Sequence, residues 1–125
     1  MNSLQIGKAI YQILNSNGIS KVFPIIADEG TTFPFVVYRR IGLTPASTKD
    51  VYNFRELATM EIVVASSDYE SGIDLAITIK DLLEHTRGIY NDIKIGDIKV
   101  MGATEDYIED TFVQKLTLNI EILWQ

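Results

Sequence analysis

The sequence predicts a single α+β domain, residues 1–125, in which two helices pack on one face of a four- or five-stranded, mostly antiparallel sheet. Two segments with apolar residues at helical spacing, 3–16 and 68–86, are each followed by segments of β character. The last segment alternates apolar and polar residues, which is typical of an antiparallel strand with one covered face. Strands and helices do not alternate regularly, so a doubly wound parallel sheet is disfavoured.

The first predicted helix spans residues 3–16 and ends at Asn17-Gly18. Ser3 is the expected N-cap, because a serine hydroxyl can accept a hydrogen bond from an unpaired backbone N–H of the first turn. Glycine readily adopts the left-handed conformation that ends many helices, so Gly18 is the expected stop. The apolar residues that should face the sheet are Ile6, Ile10, Ile13 and Leu14.

A short apolar segment and a longer β-rich segment follow. Residues 22–26 are interrupted by Pro24, which cannot donate to a sheet ladder, so they should form an edge strand or an extended arm. Residues 35–41 are predicted to form a strand. Residues 42–53 are rich in turn-forming residues and are predicted to form a long loop. Loops of that length often carry function, so we expect a contact surface that is flexible in the free subunit.

The centre of the chain is predicted to be a strand, residues 55–65, followed by the second helix. Ser66-Ser67-Asp68 is expected to cap this helix, which should run to about Thr86. His85 would then lie in the last turn of the helix, and Gly88 would follow its end. The predicted buried face of the strand comprises Ala58, Met60, Ile62 and Val64.

Two β segments complete the chain. Residues 93–100 are predicted to form a tight hairpin with Gly96-Asp97 in a type II′ turn, since glycine suits the first position of that turn. The final strand is the clearest pattern in the sequence, interrupted only by Gln114. Its alternate apolar residues are Phe112, Leu116, Leu118, Ile120, Ile122 and Trp124.

The composition excludes several classes of function. The chain has no cysteine, so it has no disulfide, thiolate metal site or cysteine nucleophile. Its formal net charge is −6, and its cations are scattered, so we expect no direct contact with nucleic acid or an anionic membrane. The first residues do not form a signal peptide, and no apolar run is long enough to span a bilayer.

The sequence offers few groups for catalysis or metal binding. His85 is the only histidine, and motifs for phosphate binding or serine nucleophiles are absent. An acidic cluster could bind a hard cation, but it lacks the spacing of a dedicated calcium loop, so a solvated turn is favoured. We therefore expect no enzymatic activity, no cofactor and no metal. The acidic cluster comprises Glu105, Asp106, Glu109 and Asp110.

Candidate contact residues lie on the second helix and around the long loop. Ile73 and Ile77 fall opposite the predicted sheet-facing side of the helix, although a surface helix needs only one apolar stripe. Either the first helix or a neighbouring subunit should cover them. Aromatic residues are enriched in interfaces, which favours Tyr52. The remaining candidate interface residues around the loop are Lys49, Asp50 and Arg55.

Several short motifs keep a familiar order along the chain. They are Val22-Phe23-Pro24, Phe33-Pro34-Phe35-Val36-Val37-Tyr38, Thr44-Pro45, Met60-Glu61-Ile62-Val63-Val64-Ala65 before Asp68-Tyr69, and Glu109-Asp110-Thr111 before the last strand. In this order and spacing the chain resembles the tail-completion, or tail-terminator, proteins of siphophages and related prophages.

The resemblance implies a structural protein that forms a ring of identical subunits, commonly six, on the head-proximal end of the tail tube. Such a ring would stop tube polymerisation and join the head connector. The implied partners are other copies of the chain, the tail tube protein and the head-tail connector protein. The implied location is the host cytoplasm during assembly and then the virion tail.

Two other classes remain open from the sequence. A different phage neck component, such as a head-closure or minor tail protein, would also be small, acidic and free of catalytic motifs. A small hydrolase or ligand-binding α+β domain would need a pocket with converging polar groups, and the sequence indicates none.

Overall fold

The computed structural model describes residues 2–45 and 55–123, and within them it has two α-helices and one six-stranded sheet. Helix α1 (Ile6–Ser16) follows a 3₁₀ turn (Ser3–Gln5), and helix α2 (Tyr69–Leu83) lies between the third and fourth strands. The strands are β1 (Val22–Pro24), β2 (Phe35–Pro45), β3 (Arg55–Ser66), β4 (Gly88–Tyr90), β5 (Ile93–Ile108) and β6 (Thr111–Leu123). Neither helix is long and apolar enough to cross a membrane within the described residues.

The sheet has the strand order β1-β2-β3-β6-β5-β4. All neighbouring strands are antiparallel except β1 and β2, which are parallel. The α+β class is confirmed, but the expected four or five strands are corrected to six in a mixed sheet. The two strands of three residues explain the difference, because a strand this short contains too little alternation of apolar and polar residues to be recognised in the sequence. Helix α1 contacts β1 and β2 near one edge and β4 at the other, so the sheet curls around it.

The core lies between the helices and the concave face of the sheet. The predicted buried face of β3 is confirmed, since all four of its apolar residues are fully buried. On α1 the predicted apolar side is also buried, with Ala9 added. Burial of each large aliphatic side chain contributes about 1.5–3 kcal/mol relative to exposure. The other core residues of β6 and α2 are Leu116, Leu118, Ile120, Ile122, Ala76, Ile79 and Leu83.

The prediction for α1 is wrong at the N-terminal end of the helix and correct at its C-terminal end. Ser3 is not the N-cap: it is buried in the 3₁₀ turn, and its hydroxyl lies 3.0 Å from the carboxylate oxygens of Glu56. The N-cap position belongs to Gln5, which makes no side-chain cap. Gly18 ends the helix with φ +88°, and the Ile19 N–H donates to the Leu14 carbonyl at 3.1 Å. The predicted glycine stop is therefore confirmed.

Helix α2 begins as predicted and ends earlier. The Asp68 carboxylate accepts from the backbone N–H of Glu70 at 3.2 Å and of Ser71 at 3.3 Å, which confirms it as the N-cap. The helix ends at Leu83, so His85 lies beyond it with φ +61° rather than in its last turn. The His85 N–H donates to the Ile98 carbonyl at 2.8 Å, because the chain has already turned towards β5.

The predicted hairpin at Gly96-Asp97 is wrong, because β5 runs straight through it as one strand of 16 residues. The pairing with β6 shifts between Ile95 and Asp97, which is a β-bulge at Gly96. A Cβ on Gly96 would displace the side chains of Glu121 and Leu123, so glycine allows a close approach of these side chains and does not form a turn. The bulge also lets Ile95 and Ile98 both face the core.

The true hairpin turns lie at two polar dipeptides. Tyr90 pairs with Ile93 across Asn91-Asp92, and Ile108 pairs with Thr111 across Glu109-Asp110. All four turn residues have positive φ, as a two-residue type I′ turn requires. Half of the acidic cluster is therefore a solvated hairpin turn.

The predicted loop at 42–53 begins later than expected. Strand β2 continues to Pro45 and pairs with β3 as far as Glu56, after a shift in register between Arg40 and Gly42. This bulge absorbs Ile41 and lets the ladder continue, so residues 42–45 are strand. The rest of the predicted loop, residues 46–53, lies outside the described residues.

Candidate assembly surfaces

The outward flank of α2 carries the two isoleucines that the sequence singled out. Ile73 is half-buried, and Ile77 is 52 % exposed. Leu75, on another side of the helix, lies beside Ile19 and Pro34, which flank the end of α1 and the start of β2. Because Ile77 stays exposed in a single subunit, α1 does not cover it. Its burial by a neighbouring subunit remains a proposal.

One ion pair continues the same flank of α2 towards its end. The Lys80 Nζ lies 2.7 Å from a carboxylate oxygen of Glu84, one helical turn further on. This contact raises the pKa of Lys80 and lowers the pKa of Glu84, since each charge stabilises the other. The flank therefore presents two isoleucines followed by an internally satisfied ion pair.

The other predicted interface residues divide between described and undescribed parts of the chain. Arg55 begins β3, and its Nη1 lies 2.7 Å from the Glu121 carboxylate on the convex face of the sheet. Its Nε is buried and has no hydrogen-bond partner among the described residues. Lys49, Asp50 and Tyr52 lie outside the described residues, so their place in an interface stays a prediction.

A groove of about 560 Å³ lies on the convex face of the sheet, where residues 25–31 pass in front of β2 and β3. We refer to it as the outer groove. Apolar side chains from the strands line it, namely Phe35, Val37 and Val63. The ion pair between Arg39 and Glu61, at 3.1 Å, also lines it. The groove is thus a mainly apolar surface with a charged border.

The backbone at the rim of the outer groove is strained. Ile25 has φ +67°, and the N–H of Ile26 donates to the Pro24 carbonyl at 2.6 Å across it. This is a γ-turn of the rare positive-φ type, and a β-branched residue adopts that conformation only at a cost. Ile25 and Ile26 are 68 % and 77 % exposed, so the strain presents two apolar side chains to solvent. Strain of this kind is often found at functional sites.

The far end of the β5–β6 hairpin is a third candidate surface. Residues 101–108, which we call the distal half of β5, are exposed at every position. Phe112 contacts the ring of Tyr107 at 4.7 Å between centroids and that of Tyr69 at 5.9 Å. The Tyr69 hydroxyl lies 2.9 Å from the Glu105 carboxylate. These contacts fix the distal half of β5 to the start of α2.

Hydrogen bonds shift the pKa values of the groups that join α2 to the hairpin. The amide of Gln114 and then the hydroxyl of Tyr69 donate to Glu105, which lowers the pKa of that carboxyl. The same bond from Tyr69 to the Glu105 carboxylate raises the pKa of the phenol. Asp68 has a lowered pKa because the Ser71 hydroxyl donates to it, together with the backbone N–H groups it caps. All three groups favour their ordinary charge states at neutral pH.

The groups considered for chemistry do not converge. Within residues 2–45 and 55–123, no group of three or more histidine or acidic side chains is placed to hold a metal ion. Glu105 binds Tyr69 and Gln114, whereas Asp110 accepts from the Tyr107 hydroxyl at 3.2 Å. The Nδ1 atom of His85 lies 3.3 Å from the Asp97 carboxylate on the exposed surface.

Two of the three surfaces were not identified as such from the sequence. The edge near residues 22–26 was expected, and β1 is indeed an edge strand, but the outer groove depends on how the following turn folds back. The signal for the outer groove in the sequence was the pair of adjacent isoleucines, Ile25 and Ile26, beside an acidic turn. The distal half of β5 was obscured by the predicted hairpin at Gly96.

Comparison with known proteins gives a likeness of fold. No protein-family model matches the chain, and no curated protein matches it. Among solved structures, a similar chain comes from the virion of a native gene transfer agent particle, with a TM-score of 0.73 and 13 % sequence identity. The alignment covers 93 % of this chain and 92 % of that chain. At this identity the likeness shows a shared fold along almost the whole of both chains.

Proposed function

We propose that the chain is a non-enzymatic structural protein of a phage-like particle, and that it forms a ring on the head-proximal end of the tail tube. In that position it terminates tube polymerisation and provides the joint to the head connector. The observation that carries the proposal is the fold shared with a virion chain over nearly the full length of both proteins. The resemblance of its motifs to tail-terminator proteins supports the finer role.

The surfaces of the subunit agree with assembly work. The outer groove, the flank of α2 and the distal half of β5 each expose apolar side chains in the isolated chain. Contiguous exposed apolar surface on a small protein usually marks a contact with another protein. A subunit that contacts two copies of itself, a tube and a connector needs several such surfaces.

The flank of α2 is the proposed contact between neighbouring subunits, together with the edge near β1. Ile77 is 52 % exposed, so its burial by the next subunit would contribute roughly half of the 1.5–3 kcal/mol of a fully exposed aliphatic side chain. Contacts between unlike surfaces of identical subunits either close into a ring or continue as a filament. A terminator has to close, because an open polymer would not end a tube.

The decisive experiment is electron microscopy of particles assembled with and without this protein. Without it, we expect tail tubes of uncontrolled, greater length that do not join heads. Tails of normal length that fail to join heads would instead indicate another neck component, such as a head-closure protein. Normal, joined tails would exclude both roles.

A pair of variants tests the contact on α2. Ile77→Glu should leave the melting temperature nearly unchanged, because the side chain is already half exposed, while assembly on tails fails. Thr78→Glu is the matched control, since Thr78 is exposed on the same helix outside the isoleucine stripe. Normal tails with Ile77→Glu would exclude this flank as a subunit contact.

A further inference from the structure

The distal half of β5 is an open sheet edge. Strand β4 pairs only with residues 93–95 of β5, and no other described strand lies on that side. Beyond Ile95, β5 therefore pairs with β6 alone. An open edge presents a row of unpaired backbone N–H and C=O groups, which is a template for another strand.

This edge is held in place before any partner arrives. Its ladder with β6 continues from Gly102 opposite Thr117 to Ile108 opposite Thr111. The contact of Tyr69 with Glu105 ties it to the N-terminus of α2. A partner strand would therefore bind a preformed edge and would not have to order it, which lowers the entropic cost of binding.

The opposite side of the sheet has a second open edge. Strand β1 pairs only with residues 36–38 of β2, and beyond Tyr38 the described part of β2 pairs only with β3. Arg39, Arg40 and Ile41 are exposed on this stretch. The Arg40 guanidinium donates to the Leu4 carbonyl at 2.6 Å, and no carboxylate lies between Phe35 and Pro45 in the sequence.

The two open edges have opposite charge. The distal half of β5 carries Glu105 and Asp106 and no cation, whereas the open stretch of β2 carries Arg39 and Arg40. Two copies joined through β5 alone would bring like charges together, which is unfavourable for directly opposed strands. Joining β5 of one copy to β2 of the next brings opposite charges together.

We propose that the open edge of β5 in one subunit pairs with the open edge of β2 in the next, so that one sheet continues from subunit to subunit around the ring. This deepens the proposed function and rests on its ring. Rotation about a ring axis keeps the sense of each strand along that axis. Since β2 and β5 run in opposite directions within one sheet, the new pair is antiparallel.

The positions of the open stretches set a stagger between neighbours. Within the sheet, β1 lies level with residues 103–105 of β5, and Gly88 of β4 lies level with Pro45 of β2. The distal half of β5 and the open stretch of β2 overlap only near Gly102 and Arg39, so pairing them requires neighbouring subunits to be offset along the strands. Closed sheets combine such an offset with strands tilted to the axis.

Charge exchange tests the pairing in assembled particles. Arg39→Glu and Asp106→Arg should each reduce the yield of complete particles by roughly tenfold or more, because Arg39 and Asp106 lie on the same face of the sheet and each change places like charges across the edge. The double variant should restore the yield. Lys8→Glu and Asp74→Lys are controls that change one exposed charge in the same sense elsewhere on the surface. Single variants with normal yield, or a double variant that stays defective, would overturn the pairing.

Cross-linking provides a readout that does not depend on the charges. The chain has no cysteine, so Ile41→Cys with Thr104→Cys introduces the only two thiols. A short bismaleimide added to cells producing particles should give a ladder of oligomers of this chain. Thr104→Cys alone should give none. Absence of the ladder, or a cross-link to a different protein instead, would overturn the proposal.

The two proposals can fail separately. If particles made without the protein have tails of normal length, the terminator role fails, and the ladder still decides whether the edges pair. If those tails are overlong but the edge variants behave as wild type, only the edge pairing fails.

Discussion

The two halves of β5 both pair with β6, but they differ completely in their exposure to solvent. In the proximal half, residues 93–100, Ile93, Ile95 and Ile98 are buried against the helices, whereas every residue of the distal half is exposed. The ladder with β6 nevertheless continues along both halves. Pairing with β6 therefore determines how long the strand is, and the helices determine which part of it belongs to the core.

This difference in exposure indicates that the two halves of β5 have different roles. The proximal half stabilises the subunit, because its side chains remove apolar area from water. The distal half adds little to that core and offers backbone edge, charge and exposed apolar groups such as Met101 and Ile108. Substitutions in the first half should change folding, and substitutions in the second should change assembly.

The largest expected contrast is between Ile98→Ala and Met101→Ala. Ile98 is fully buried, so its truncation should lower the free energy of unfolding by about 2–5 kcal/mol. Met101 is 58 % exposed, so its truncation should change that free energy by less than about 0.5 kcal/mol. Urea denaturation of the purified variants measures both. Comparable losses would mean that the distal half belongs to the folding core.

A smaller contrast is expected between Gly96, in the first bulge of β5, and Gly102, which pairs with Thr117 just after a second bulge at Met101. Gly96→Ala would push against Glu121, which is paired with Arg55, and against Leu123, and should cost about 1–2 kcal/mol. A Cβ on Gly102 meets nothing within 4 Å, so Gly102→Ala should be neutral or slightly stabilising, since alanine restricts the unfolded chain. Thermal unfolding of the two variants checks the order. Equal melting temperatures would show that the space around Gly96 adapts freely.

The smallest expected effect is a pH dependence at Glu105 in the distal half. Its folded-state pKa is lowered below the ordinary value of 4.5, so its contribution to stability is present above that value and is lost as the pH falls through the folded pKa. The melting temperature of the wild type should exceed that of Glu105→Gln at neutral pH, and the difference should shrink on acidification. A difference that does not vary with pH would contradict a role for the charge.

Glu109→Gln is the matched control for this titration. Glu109 lies in the hairpin turn. Gln114 and Tyr69 donate their hydrogen bonds to the carboxylate of Glu105, not to that of Glu109. The substitution of Glu109 removes a charge without removing these hydrogen bonds, so at neutral pH the melting temperature should change less than in Glu105→Gln.

The elements with strong periodicity were predictable from the sequence. The apolar sides of α1, of β3 and of residues 116–122 of β6 recur at the spacing of their secondary structure, and the structure buries them as expected. At the start of β6 the prediction is wrong, because Val113 is buried and Phe112 is only partly buried, and Trp124 lies outside the described residues. Gly18 and Asp68 marked helix ends by local backbone chemistry. For the candidate contact residues on α2, the sequence left open whether α1 or a neighbouring subunit covers Ile73 and Ile77, and the structure leaves Ile77 exposed and Ile73 half-buried.

The sequence by itself determined the α+β class, most of the buried faces and two of the helix ends, at Gly18 and Asp68, because these depend on side-chain period and on residues adjacent in the chain. Only the tertiary structure decided the role of Gly96, the two short edge strands and the offset between the open edges. A glycine can occur in a turn, in a bulge or where two chain segments approach closely, and the sequence does not distinguish these cases. For Gly96 the neighbouring side chains of Glu121 and Leu123, which are distant in the sequence, show which case applies. Whether a stretch of strand is an open edge likewise depends on which other strands pair with it, and this is a property of the whole sheet.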